Sequence, residues 1–200
     1  MSRPARRIAG FVLRFALLYG ILVLAWPLAR PLYRPFYCFL GNVLFQGGEG
    51  SATFRSLDTD AALDVEVMLH KRSPPPATGT ATNNSKGVGY LPIVTIVALV
   101  LATPIPWKRR RRALWQGLAL VTLFVAVRIG IPIVRDFSKP DALQVHHPGA
   151  LGVWALGVAE RALLAAPASF FVVPILVWAL VAFRRQDWEL LERRQPTETA

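Results

Sequence analysis

Cysteine is almost absent: Cys38 is the only one in 200 residues. A single thiol excludes an intramolecular disulfide, so any part of the chain outside a membrane must hold together by packing alone. Imidazole is scarce as well, with only His70, His146 and His147. No H-x-x-H or H-E-x-x-H spacing occurs, and adjacent residues such as His146 and His147 rarely aim at one ion, so no metal is expected. The one glycine cluster, GGEG at 47–50, lacks the lysine and helix of a phosphate-binding loop, so no cofactor is expected either. Acidic residues are few, 12 against 23 Lys plus Arg, for a net charge of +11. Charged residues make up only 18% of the chain while 54% is hydrophobic, and mean hydropathy is +0.40. A soluble domain carries more charge and less apolar surface.

Four long apolar segments dominate instead: Ile8–Leu28, Tyr90–Trp107, Ala113–Val134 and Arg161–Phe183. Each approaches the ~20 residues that cross a bilayer as a helix. Basic clusters close each segment on one side: Arg3, Arg6 and Arg7; then Lys108, Arg109, Arg110, Arg111 and Arg112; then Arg184, Arg185, Arg193 and Arg194. If every segment crosses once, all three clusters face the cytoplasm, as the positive-inside rule requires. The KRRRR run is thus read as an orienting feature attracted to anionic lipid headgroups, not as a nucleic-acid site. Ile8–Leu28 is longer than a signal-peptide core and no A-x-A site follows, so an uncleaved anchor is expected. The fold class is mainly α, a polytopic membrane protein of four transmembrane helices with a small external β-hairpin domain. The expected divisions are an N-terminal tip and first helix (1–29), an external interfacial segment, hairpin and linker (30–89), helices two and three with a basic cytoplasmic turn (90–134), an external loop (135–160), and the last helix with a cytoplasmic tail (161–200). This layout fits the bacterial inner membrane with both termini cytoplasmic.

Within the external part, Phe36–Phe45 reads as a short amphipathic helix on the outer leaflet. Residues 51–57 alternate weakly and 63–70 cleanly, which predicts a hairpin. Val65, Val67 and Leu69 face one way; Asp64, Glu66, Met68 and His70 face the other. A lone hairpin is marginal in water and needs a third strand, the membrane or a partner to cover its apolar side. Val65, Val67 and Leu69 are therefore the candidate partner-binding strand. The stretch 73–89 (SPPPATGTATNNSKGVG) reads as a mobile linker.

Charges in the spans are functional hints by default. Arg14 lies near the cytoplasmic end of its span and snorkels. Arg128 lies near the outer end of the third span and is expected to snorkel outward. Arg135 and Glu160 fall at similar heights, about 34 and 36 Å above the cytoplasmic ends of their segments, which predicts a structural ion pair. Cys38 with His146 or His147 is the one thiol–base combination that could make a nucleophile. Against it, Cys38 is flanked by Tyr37 and Phe39, as a small packing residue would be.

The segment 89–110 (GYLPIVTIVALVLATPIPWKRR), with its Gly-x-Leu-Pro entry and Ala98-Leu-Val-Leu-Ala102 helix, resembles a family of small bacterial membrane proteins associated with exosortases, of the exosortase H-associated type. The resemblance covers roughly 50–135 in pattern and the whole chain in topology. It implies a partner in protein sorting at the cell envelope, such as a sorting protease, and carries no active-site residue. The leading expectation is a non-enzymatic accessory subunit that binds a membrane partner or exported substrate at the outer face. The alternatives are a thiol-dependent membrane transpeptidase or protease built on Cys38, and a subunit of an envelope transport complex.

Overall fold

The computed structural model describes residues 3–57, 61–165 and 169–182. Arg184, Arg185, Arg193 and Arg194 lie outside the described residues, as do the side chains of Arg3, Arg6 and Arg7 and the expected turn at 58–60. Helix α1 (Arg3–Leu24) is followed after Ala25 by α2 (Trp26–Phe45). Three strands follow, β1 (Gly50–Ser56), β2 (Val65–Lys71) and β3 (Ala77–Asn83). A π-helical turn (Lys86–Tyr90) leads into α3 (Leu91–Ala102), then come α4 (Trp107–Asp136), α5 (Ala150–Glu160), a second π-helical turn (Arg161–Ala165) and α6 (Ser169–Ala182).

Helix α3 is apolar on every side and so must be surrounded. It packs against α1, α4 and α6, and buries Val94, Thr95, Ile96, Ala98, Leu99 and Val100. Aromatic pairs Phe11–Trp178 and Tyr19–Phe171, both 5.5 Å between ring centres, join α1 to α6 in antiparallel order. The outward faces are apolar too. Leu13, Leu17 and Ile21 of α1, Trp115 and Leu123 of α4, and Leu176 and Leu180 of α6 are all exposed. A water-facing bundle does not present such a perimeter.

Among the described residues, α4 alone is long and apolar enough, by length and composition, to cross a membrane unaided. Counting α1 with α2, bent by 71°, and α5 with α6, bent by 85°, as broken spans gives at most three, and α3 is a shorter apolar helix. The expected four transmembrane helices are therefore not confirmed: the described residues hold one clear span candidate and up to three if each bent pair counts as one. Two boundaries explain much of the difference. Span one was expected to run to Leu28, but α1 stops at Leu24, and the Tyr90 hydroxyl donates to the Leu22 carbonyl at 2.6 Å where the chain turns. The expected loop 135–160 contains α5. The basic run is likewise no loop. Pro104 and Pro106 end α3, and Lys108–Arg112, good helix formers, belong to the opening turns of α4.

Those turns hold one end of the bundle together. Arg110 Nη2 donates to the Thr103 carbonyl (3.1 Å), Arg109 Nη2 to the Ala182 carbonyl (3.2 Å), and Trp178 Nε1 to Thr103 Oγ1 (2.8 Å). Two of these contacts place guanidinium groups on carbonyls at the C-terminal ends of α3 and α6, where cations are favoured. The other end carries the sheet.

Helix α2 runs unbroken through Pro31 and Pro35. With Pro27 these prolines recur every four residues, so the missing N–H groups collect on one exposed side. Leu28, Leu32, Phe36, Phe39 and Val43 form an exposed apolar stripe, and Arg34, Tyr37, Cys38 and Gly41 are buried on the opposite side. The expected helix 36–45 is thus the second half of a longer one. Its buried side lies on β1, and the Phe54 ring occupies the space at Gly41, where a Cβ would come within 2.6 Å.

The strands form one antiparallel sheet in the order β1-β2-β3. The expected hairpin is present, with Ala52 opposite Leu69 and Phe54 opposite Val67. The supposed linker supplies the third strand: Val67 pairs with Ala81 and Leu69 with Gly79. Its Thr/Ala/Gly composition carries little apolar signal, and pairing with β2 is what makes it a strand. Leu143, from the loop after α4, seats on Gly79, and Phe137 on Gly50.

Candidate functional site

Asp64 sits just before β2 and does not face solvent with Glu66, as alternation predicts. It is 3% exposed. Its carboxylate accepts from Arg34 Nε (2.9 Å), the Ser85 backbone N–H (2.8 Å) and Ser85 Oγ (2.7 Å). Arg34 is buried as well, at 7%. One ion pair thus ties α2, the sheet and the lead into α3. The alternation rule fails here because the regular strand starts one residue later, at Val65.

Arg128 lies close by and does not snorkel outward. It is 8% exposed and turns inward, donating from Nη1 to the carbonyls of Gly87 (3.2 Å) and Val88 (3.3 Å) in the first π-helical turn. The π-turn leaves these carbonyls available, and a buried guanidinium must find acceptors. Tyr33 packs over the same turn. A Cβ on Gly89 would meet Tyr33 Oη at 2.3 Å and Tyr37 at 3.1 Å, which gives the Gly-x-Leu-Pro motif a packing reason for its glycine. Gly89→Ala is expected to cost about 1–3 kcal/mol, as overpacking does. Thermal unfolding in detergent checks this; an unchanged midpoint would mean that Tyr33 moves aside freely.

The thiol and the imidazoles are not assembled. Cys38 is buried under β1, while His146 and His147 lie on the exposed loop before α5. No described hydrogen bond or charge contact joins Cys38 to either histidine. Burial, then the Asp64 carboxylate, push the Cys38 thiol up, opposed by Arg34. A raised pKa means less thiolate at neutral pH. Maleimide labelling of the folded protein should run at least about tenfold slower than after unfolding in detergent, and should rise only above the ordinary thiol range. Labelling at the rate of a free thiol would contradict the burial. His70 stands alone at the end of β2, and among the described residues no three His, Cys, Asp or Glu side chains gather as for a metal. Arg135 Nη1 does donate to Glu160 Oε1, joining α4 to α5. The Arg135 side chain is 50% exposed, which limits the pair to about 0–1 kcal/mol.

No family model matches the chain, and no curated protein or solved structure does either.

Val65, Val67 and Leu69, expected to receive a partner, cannot do so through their side chains. They are 0%, 3% and 3% exposed on the central strand, covered by α2 and the loop after α4. What remains is the sheet's edges, which differ. At β1, Asn42 of α2 takes both backbone groups of Phe54: its Nδ2 donates to the Phe54 carbonyl (3.2 Å) and its Oδ1 accepts from the Phe54 N–H (2.7 Å). Phe54 therefore points away from β2, and by antiparallel alternation Ala81 faces β2 while Thr78, Thr80 and Thr82 face outward. The Arg72 N–H to Glu49 carbonyl bond (2.9 Å) extends the same alternation. Among the described residues nothing pairs with the outward groups of β3. The strand has no charge, no proline and no bulge from 77 to 83, the devices that usually protect an edge. A recess of about 700 Å³ lies across the sheet, lined by Ser51 and Thr53 of β1, His70 and Lys71 of β2, Arg72, and Thr78 of β3. The T-x-T-x-T alternation at 78–82 was visible in the sequence as a strand period, but its low hydrophobicity masked it.

Proposed function

We propose that the chain is a four-span protein of the bacterial inner membrane, both termini cytoplasmic, and a non-enzymatic accessory subunit. It holds an extended segment of a membrane partner or exported substrate against β3 at the outer face. The observation that carries this reading is the seven-residue edge of β3, unpaired among the described residues and undefended, while the opposite edge at β1 is capped by Asn42. His70, Lys71 and Arg72, which line the recess across the sheet that reaches Thr78 of β3, favour a segment with acidic side chains. The apolar perimeter supports membrane burial of the bundle, and α1, with 22 residues, reaches about 33 Å. The basic turns at one end and the sheet at the other match the orientation rule. The stripe on α2 suits a helix lying in the outer interface. The resemblance of 89–110 to exosortase-associated proteins fits a sorting protease as the partner. The thiol transpeptidase reading gains no support, since Cys38 is buried away from the histidines, and nothing specific favours an envelope transporter subunit.

Affinity capture from native membranes in mild detergent, followed by mass spectrometry, is the direct test. One stoichiometric envelope partner, lost when the β3 edge is blocked, is the expected outcome. Recovery of the chain alone would refute the accessory role.

A further inference from the structure

At the basic end, α4 and α6 leave a groove of about 610 Å³ between them. Its lining changes character along the helix axis. Arg109 and Arg112 come first, then Gln116, and then Leu120 of α4 with Leu180 of α6. Arg112 and Leu120 are about 12 Å apart along the helix, with Gln116 midway. Cation, amide and apolar wall follow the order of phosphate, glycerol ester and acyl chain in a phospholipid.

Further features favour an anion at the basic end. The first turns of a long helix present its positive pole there. Arg109 is held at the α6 wall by the Ala182 carbonyl, and Arg112, one turn on, is exposed at the groove. Among the described residues, no acidic side chain lines it. Trp107 and Trp115, exposed by 62% and 74%, flank the same stretch of α4 as tryptophans do at headgroup depth.

We infer that this groove binds one anionic glycerophospholipid, with its phosphate on Arg112 at the basic end and an acyl chain along Leu120 and Leu180. This rests on the membrane-embedded reading of the bundle and not on any partner at β3. It differs from diffuse attraction to an anionic surface because it is saturable, with one lipid per chain.

Native mass spectrometry of the full chain, purified in detergent and titrated with phosphatidylglycerol or phosphatidylcholine of equal chain length, tests it. One phosphatidylglycerol should bind about tenfold more tightly than phosphatidylcholine. Arg112→Gln should weaken it about fivefold, the value of one basic contact at a lipid surface. Leu180→Trp, which fills the apolar part, should weaken it as well. Arg111→Gln removes the same charge from an exposed position outside the groove and should leave binding unchanged. Equal losses in Arg111→Gln and Arg112→Gln would mean diffuse attraction and overturn the inference. So would equal binding of the two lipids, or a groove that takes no lipid because protein fills it. A melting curve for each variant confirms folding. Capture of a partner through β3 is measured separately and survives either result.

Discussion

Thr80→Pro is expected to abolish partner capture while leaving the fold intact. The Thr80 N–H points away from β2 and pairs with nothing among the described residues, so proline removes no ladder bond to β2. Proline is tolerated on edge strands for this reason. A docked strand, however, loses that N–H as a donor and meets the ring. Affinity should fall by about tenfold or more, equivalent to about 1.4 kcal/mol. Melting should shift by less than about 1 kcal/mol. Ala81→Pro, one residue on, is the counterpart. Ala81 faces β2 opposite Val67, so its proline variant breaks the ladder and should release the sheet, read as protease cleavage at Lys71 or Arg72. If Thr80→Pro binds its partner as the wild type does, the edge is not the interface. If both variants unfold alike, the alternation drawn from Phe54 and Asn42 is wrong.

Asp64→Leu should be the most damaging single change to stability. It takes the Asp64 carboxylate from the buried Arg34 guanidinium and removes both Ser85 hydrogen bonds. Breaking a buried pair from one side costs about 3–5 kcal/mol. That is a large share of a typical net stability of about 5–15 kcal/mol. The Arg34→Met/Asp64→Leu double variant should recover much of the loss, because two buried charges become packed apolar groups. Unfolding in detergent, followed by circular dichroism, measures all three. A double variant no better than Asp64→Leu would show that Arg34 is held chiefly by other contacts.

Much of the sheet was legible from period alone. Residues 51–57 and 63–70 alternate, and a two-residue period forces apolar side chains onto one side of a strand whatever surrounds it. The third strand was not legible. Ala77–Asn83 has no apolar face to read, and its conformation comes from hydrogen bonds to β2. Asp64 was misplaced for a related reason, since its inward turn depends on Arg34, thirty residues earlier, and Ser85, twenty-one later.

The membrane character, the basic end and the central apolar helix were set by composition and order along the chain. Transfer of apolar side chains from water depends on what they are and only weakly on their neighbours. Tertiary structure alone decided where helices bend, which residues of the sheet stay open, and where the charges go. Val65, Val67 and Leu69 became core because α2 lies over them, and β3 kept a free edge because no element of the described chain reaches it. Arg34 and Arg128 became structural because a buried guanidinium takes whichever acceptors the packed elements bring within reach, and no sequence pattern records which those will be.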